Sequence, residues 1–512
     1  MKFNFIKADN NQVKNHEGEV AYKTSAELEL YTSVVTASLS NNFYESADDR
    51  LKRIIRLIGE VSPHFVAKLA IYTRENMHLR SVPLVLLAEL SKVHFGDSLV
   101  SKTTSRVIQR ADEITELLAY YQLANSREGE KKLNKLSKQI QKGVAVAFNK
   151  FDEYQFAKYN RKTEVTFKDA LFLTHPKAIS SEQQALFDKI VTDDLEVPYT
   201  WEVELSKIVQ TQFASEEGRK AAVTQKWEEL IASNRLGYMA LLRNLRNILQ
   251  AEVGAEAIEK VASRLADPHE VRRSKQLPFR FLAAYNELRG LKLNYLSVII
   301  DALEEAIMSS AANIVGFDLQ TRVLIAADVS GSMYTPVGGR SKIRCYDVGL
   351  TLSMLLAAKS KNVVTGIFGD RWQEVSLSTR GGILSNVQEL NRMEGQVGYS
   401  TNAYRVIDAM IAEGRVMDKV LFFTDLQLWD SRAGGSSLKA SWTKYKREVA
   451  PQAKLYLFDL VGYGNTPLSV ERDDVFLLAG WSDKVFDILS AIEAGGNALT
   501  EIEQITLTSA AG

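Results

Sequence analysis

Apolar positions recur at helical spacing along the stretch from about residue 25 to residue 310. Leu51, Ile54, Ile55 and Ile58 fall at i, i+3, i+4 and i+7, with Arg53 and Arg56 between them. Leu296, Ile300, Leu303 and Ile307 fall at i, i+4, i+7 and i+11. Ser62-Pro63, His175-Pro176, Asp267-Pro268 and Leu277-Pro278 punctuate the series as helix boundaries. Many short amphipathic helices with no strict repeat period predict an irregular α-solenoid, with a plain helical bundle as the alternative. After Gly316 the texture changes. Apolar runs at residues 323–327, 363–368, 420–423 and 455–458 alternate with helical patterns around 346–359, 403–413 and 438–449. Strands alternating with helices predict a parallel sheet covered on both faces. The expected division is therefore a helical-repeat module over 1–315 and an α/β domain over 316–512, with the boundary near 312–320. Residues 433–437, Ala-Gly-Gly-Ser-Ser, read as a surface loop, and the end after Leu499 as loosely packed.

Composition narrows the function classes. A chain of 512 residues, 46% hydrophobic and 25% charged, has ordinary globular make-up and length for more than one domain. Lys plus Arg and Asp plus Glu each number 63, so affinity for nucleic acid requires a local basic patch and not global charge. One cysteine, Cys345, excludes an intrachain disulfide and fits a reducing compartment. The first residues lack the apolar stretch of a secretory leader, and no run of 18 apolar residues occurs. The expectation is a cytoplasmic protein.

The run 323–327 leads into Asp328-Val329-Ser330-Gly331-Ser332-Met333. Alternation along extended chain places Asp328, Ser330 and Ser332 on one side. One carboxylate and two hydroxyls suit a hard, oxygen-seeking divalent cation such as Mg²⁺. Two further segments bring similar chemistry: Gly398-Tyr399-Ser400-Thr401-Asn402 before a helix, and Thr424-Asp425 at the end of an apolar run. Ligands of open α/β sheets bind beyond the carboxyl ends of strands, where the three would meet. The order resembles the metal-ion-dependent adhesion site of von Willebrand factor A-like domains. That resemblance implies a divalent metal held by Asp328, Ser330, Ser332, Thr401 and Asp425, with a free position for a partner's acidic oxygen. Many such domains have two glycines before the threonine where this chain has Tyr399-Ser400, which leaves Ser400 as an alternative to Thr401. The bland reading makes Ser330 and Ser332 helix caps and Asp425 a turn residue.

No Ser/His/Asp set, P-loop or G-x-G-x-x-G after a strand is legible, and the six histidines show no ligand spacing. Residues 131–162 hold nine Lys or Arg against Asp152 and Glu153, interleaved with Phe148, Phe151, Tyr154, Phe156 and Tyr159. Cations neutralise phosphates and aromatics stack on bases, whereas a solvated helix face with buried rings would give the same letters. Arg106 and Arg110, spaced one turn apart, read as solvated charges on one helix face. Glu128 and Glu130 precede the lysine run and narrow the basic surface.

Residues 143–150, Lys158-Tyr159-Asn160-Arg161 and 167–177 resemble the central stretch of the TROVE module of Ro ribonucleoproteins. The family's K-Y-x-x-R is here one residue shorter. Met239-Ala240-Leu241-Leu242-Arg243-Asn244-Leu245 is similar to that family's M-A-L-L-R-N-L helix, and Leu277-Pro278-Phe279-Arg280 falls at its P-F-R/H turn. Residues 424–429, Thr-Asp-Leu-Gln-Leu-Trp, resemble T-D-N-E-T-W. The resemblance implies a ring of HEAT-like helical repeats closed by the von Willebrand A-like domain. It also implies a non-catalytic protein that binds Y-like small non-coding RNA and captures single-stranded 3′ ends, with an exoribonuclease such as polynucleotide phosphorylase as partner. Carried over, Lys158, Arg161 and His175 would line the RNA path, with Lys142, Lys150, Lys168 and Arg243 as weaker candidates open to packing or helix-end roles. A metal-dependent protein-docking scaffold is the competing expectation.

Overall fold

The computed structural model describes residues 12–37, 45–125, 136–310, 320–338, 341–376, 382–428, 437–470 and 473–507. The expected boundary segment 312–319, Lys131, Lys132, Lys135, Glu128, Glu130, Trp429 and the loop 433–436 lie outside these residues. The chain forms two compact units. One comprises residues 1–54, 241–249 and 258–500, and the other 55–240, 250–257 and 501–512.

The second unit is helical. Its helices start where capping chemistry dictates. Ser62 accepts from the Phe65 N–H with Pro63 in the first turn, and Asp152 with Gln155 and Thr166 with Asp169 form reciprocal capping boxes. The helices Leu99–Val107 and Lys138–Phe148 cross at Gly143, where an added Cβ would lie 2.5 Å from Thr104 Cβ and 2.6 Å from the Ser101 carbonyl. Only glycine permits that approach. Phe148, Phe156 and Phe167 then pack with ring centroids 5.1 to 5.7 Å apart. The last described residues, up to 507, are held by specific contacts, while the final residues 508–512 lie outside the described ones. Ile502 is buried, Lys68 Nζ donates to the Glu503 carbonyl at 2.5 Å, and Arg106 Nη1 to the Thr506 carbonyl at 2.6 Å.

The first unit holds the sheet. Its strands are β1 (Gln12–Lys14), β2 (Val20–Lys23), β3 (Arg322–Asp328), β4 (Asn362–Phe368), β5 (Trp372–Glu374), β6 (Lys419–Thr424), β7 (Lys454–Asp459), β8 (Asn465–Thr466) and β9 (Val475–Ala479). Six of them run in the order β5-β4-β3-β6-β7-β9, all parallel except β5. The expected strands β3, β4, β6 and β7 form as read. The sheet is mixed through β5, whose antiparallel pairing with β4 needs only the short turn after Phe368. Alternate residues serve opposite faces. Leu324, Ala326, Val420, Phe422, Leu455 and Leu457 pack under the helices Tyr404–Ala412 and Leu438–Glu448. Phe423 and Phe458 stack at 4.3 Å on the other face, which Phe486 of the helix Val485–Glu493 also covers.

A second, three-stranded sheet joins distant parts of the sequence within this unit: β1 pairs with β2, and β2 with β8. Among the described residues no helix is long and apolar enough to cross a membrane.

Candidate functional site

β3 and β6 are neighbours in parallel register, so Asp328 and Asp425 emerge together at the carboxyl edge of the sheet. Both are buried, as are Ser330, Ser332 and Thr401. The chain after β3 turns sharply: the Ser330 N–H donates to Asp328 Oδ1 at 2.8 Å, and the two serine hydroxyls lie 3.3 Å apart. Thr424 Oγ1 donates to Asp328 Oδ2 at 2.5 Å. The Gly331 N–H donates to the Tyr399 carbonyl at 3.1 Å, tying the first loop to the second. The spacing of three segments in sequence therefore corresponds to one cluster in space.

The second loop separates its two hydroxyls. Asp370 Oδ1 accepts the Ser400 N–H at 2.7 Å, and the Ser400 hydroxyl also bonds this carboxylate and helps hold its pKa down. Gly398, at φ +80°, has an added Cβ position 2.2 Å from the Asp370 carboxyl carbon, so the loop closes on Asp370 only with glycine there. Ser400 is thus engaged away from the carboxylate pair, while Thr401 is buried and its hydroxyl makes no hydrogen bond among the described residues. In the third loop Leu426 has a left-handed φ of 62°, a strained conformation for a branched side chain.

Buried carboxyls dominate the electrostatics of this edge. Burial raises the Asp328 pKa, and the Asp425 charge raises it further. Burial likewise raises Asp425, partly offset by Ser332 and by the Gln427 N–H on Oδ1 at 3.0 Å. Asp425 Oδ2 is buried without a hydrogen-bond partner among the described residues. Asp459, at the end of β7, is a third buried carboxyl on this edge, pushed by burial up to about 6 despite hydrogen bonds from the Val461 and Gly462 N–H groups. An orphaned carboxylate oxygen beside hydroxyls fits a hard cation. Among the described residues no three His, Cys, Asp or Glu side chains cluster as ligands, so such an ion would keep hydroxyl and water oxygens in its shell.

The basic candidates separate by position. Lys142, Lys150, Lys158, Arg161, Lys168 and His175 belong to the helical unit, and Arg243 to the other. Lys142, Lys158, Arg161 and Lys168 are exposed and form no ion pair among the described residues. His175 is exposed at φ 46°, closing the helix Phe167–Thr174. Lys150 is different. Its ammonium donates to the Ser105 carbonyl and, at 3.0 Å, to that of Ile108, which satisfies the C-terminal end of the helix Leu99–Val107. Arg106 and Arg110 do not share a helix face, because that helix ends at Val107. Arg106 pairs with Glu75 through two bonds of 2.7 Å, and Arg110 with Asp112. Arg243 is exposed on the helix Tyr238–Gln250, and after burial its charge is what lowers the pKa of Arg280. Of the five interleaved aromatics, Phe148, Phe151 and Phe156 are core, while Tyr154 is 43% exposed.

Comparison with known proteins joins the two parts. The TROVE domain matches residues 21–197 and 192–297, and the Ro60 vWA domain matches 322–492. The chain belongs to the TROVE-domain Ro family. Its fold is similar to the crystal structure of the Deinococcus radiodurans RO (RSR) protein, with a TM-score of 0.57 and 19% identity over 92% of this chain and 100% of that one. Telomerase protein component 1 of Mus musculus is 25% identical over 52% of this chain, and that of Rattus norvegicus 25% over 53%. The match spans only 13% of the length of each of these two relatives.

Within this Ro-family domain, Asp370 and Asp459 are not singled out by the sequence. The Thr424-Asp425 segment does not announce the bond from Thr424 to Asp328, which crosses from one strand to the next. Asp370 reaches Ser400 across 30 residues of sequence. An Asp after an apolar run was the available signal for Asp459, since β7 ends on it as β3 ends on Asp328.

Proposed function

We propose that this Ro-family chain is a non-catalytic RNA-binding protein that scaffolds small, Y-like non-coding RNA and takes up single-stranded 3′ ends for RNA quality control or decay. The observation that carries this reading is the set of exposed cations Lys142, Lys158, Arg161 and Lys168, which form no ion pair among the described residues, in the stretch matched by the TROVE domain. Solvated cations without carboxylate partners are available to phosphates, and each phosphate neutralised releases counterions. In a chain with 63 positive and 63 negative side chains, such a local excess is what nucleic-acid binding requires. An exoribonuclease working on the captured end is the matching partner.

The test is binding of a short RNA duplex with a 3′ single-stranded tail, compared with the blunt duplex across a salt series. Tail-dependent binding that weakens steeply with salt is expected. The triple variant K158A/R161A/H175A should lose most of that affinity and remain folded. Equal affinity in the folded triple variant, or no binding of the tailed RNA at low salt, rejects the reading.

A second reading concerns the carboxyl edge of the sheet and is favoured by the partnerless Asp425 Oδ2. There Asp328, Ser330, Ser332, Thr401 and Asp425 hold a divalent cation, Mg²⁺ first, whose open position takes a carboxylate from a docking protein. The two readings use different residues and are compatible.

A further inference from the structure

In the basic stretch of the helical unit, the helix Glu153–Tyr159 presents an arrangement that packing alone does not explain. Phe156 points into the core, with Phe148 and Phe151 around it. Tyr154 and Tyr159 do not follow it. The Lys158 ammonium stands 5.7 Å from the Tyr154 ring centroid and 5.6 Å from that of Tyr159, between the two rings. Arg110 lies over Tyr159 at 4.5 Å.

That far end of the row is fixed. Asp112 accepts from Arg110 Nε and Nη2 at 3.0 Å each, and Glu113 Oε2 accepts the Arg110 N–H at 3.1 Å. Arg110 is therefore held by carboxylates and covers Tyr159. The near end is open. Tyr154 is 43% exposed, and Lys158 has no carboxylate partner among the described residues. Asp152 and Glu202 act on the Tyr154 hydroxyl, since after burial and the Tyr159 hydroxyl they raise its pKa. The Lys158 ammonium is the cation beside the exposed Tyr154 ring, and Arg161, exposed and without an ion pair among the described residues, follows three residues later in the chain.

We infer that this row is a base-stacking subsite for single-stranded RNA, with Tyr154 as the platform and Lys158 and Arg161 on the flanking phosphates. The inference rests on the RNA-binding reading and deepens it. A base laid on Tyr154 continues the sequence of planes and cations that Arg110 begins. Its backbone passes on the Lys158 side, where the ammonium beside the ring can neutralise a phosphate. A ring face accepts any base, so the subsite is tolerant of sequence. It discriminates against duplex, whose bases are already stacked and whose grooves expose no free face.

The experiment measures binding of the full chain to a labelled single-stranded RNA and to the same backbone carrying abasic positions, over a salt series. Wild type should prefer the based strand by about 5- to 150-fold per stacked base. Y154A should lose this preference and keep its salt dependence, whereas Y154F should retain both. K158A should reduce the salt slope by about one counterion and keep the preference for bases. If folded Y154A and Y154F both show the wild-type ratio, the stacking subsite is wrong while RNA binding stands. If wild type binds the based and abasic strands equally and polyphosphate displaces both, the surface reads phosphate alone and the inference is overturned. If wild type binds neither strand, the RNA reading itself falls and takes the subsite with it.

Discussion

Thr424 donates its hydroxyl proton to Asp328 Oδ2 at 2.5 Å, across the two central strands of the sheet. This bond and the Ser330 N–H use both oxygens of Asp328, yet none of the donors carries a positive charge. Neutral donors reduce the cost of a buried carboxylate without cancelling it, and Asp425 stands beside it with one oxygen unpartnered. A divalent cation resolves both. In thermal melts, Mg²⁺ at about a hundred times its Kd should stabilise the chain by about 2.7 kcal/mol over the EDTA-treated protein. D425N should be at least as stable as wild type in EDTA, because one of two repelling carboxylates is gone, and should show no response to Mg²⁺. An unchanged Mg²⁺ response in D425N would move the cation elsewhere.

The same groups set the pH dependence of the metal-free chain. Asp328 and Asp425 are raised, first by burial and for Asp328 also by its neighbour, and Asp459 is raised to about 6. In the unfolded chain an aspartate ionises near about 3.9. Above that value the unfolded state has released protons that the native state still holds, so these groups cost stability as pH rises through their native values. Their favourable contribution is complete below the unfolded value and lost above the folded ones. The gap in melting temperature between D328N and wild type, both in EDTA, should therefore widen in favour of D328N from about pH 5 to about pH 8. Saturating Mg²⁺ should abolish the widening. A gap independent of pH would show that Asp328 ionises as an exposed carboxyl does.

Lys150 and Lys158 look alike in the sequence and should behave in opposite ways. K150A leaves the carbonyls of Ser105 and Ile108 without their donor at a helix end, a loss of about 1–3 kcal/mol in stability. K158A removes an exposed cation, and its stability should stay within about 0.5 kcal/mol of wild type. RNA affinity should fall in K158A and hold in K150A at temperatures where that variant is folded. Melts and binding on the same two preparations decide the matter.

That pair also marks what the sequence could carry. β3, β4, β6 and β7 were legible because buried parallel strands are written as continuous apolar runs. β9, equally apolar, is only five residues long, and periodicity does not separate such a run from a stretch of buried helix. β5 has three residues on a sheet edge, too few for any period. The three candidate metal-binding loops were readable since each follows local chemistry at a strand end or before a helix. The choice between Ser400 and Thr401 was not, because Asp370 decides it through a contact between segments. The lysine-aromatic run gave composition without direction: helix phase buries Phe148 and Phe156 and leaves Tyr154 outside, and the carbonyls that claim Lys150 belong to a helix over 40 residues earlier.

The least legible element, the hairpin of β1 and β2, supports the loop bearing Asp425. Its residues are mostly polar, and its partner strand β8 lies over 400 residues further on, so neither pattern nor proximity announces it. Asn15 is 9% exposed, and its Nδ2 donates to the Leu428 carbonyl at 2.8 Å while its Oδ1 accepts the Glu19 N–H at 2.9 Å. The next N–H, that of His16, donates to Gln427 Oε1 at 2.9 Å, and the Gln427 N–H in turn holds Asp425 Oδ1. A chain of hydrogen bonds thus runs from the hairpin turn to a carboxylate of the candidate metal centre. N15A breaks two bonds of a buried amide at once and should cost about 1–3 kcal/mol. It should also weaken Mg²⁺ binding severalfold in calorimetric titration, since the loop bearing Asp425 loses its outer support and the ligand its orientation. N15D offers a control: it keeps the acceptor for the Glu19 N–H but turns the donor facing the Leu428 carbonyl into a second acceptor. If N15A and N15D lose stability while Mg²⁺ affinity is unchanged in both, the hairpin serves folding alone and the metal loop holds its shape without it.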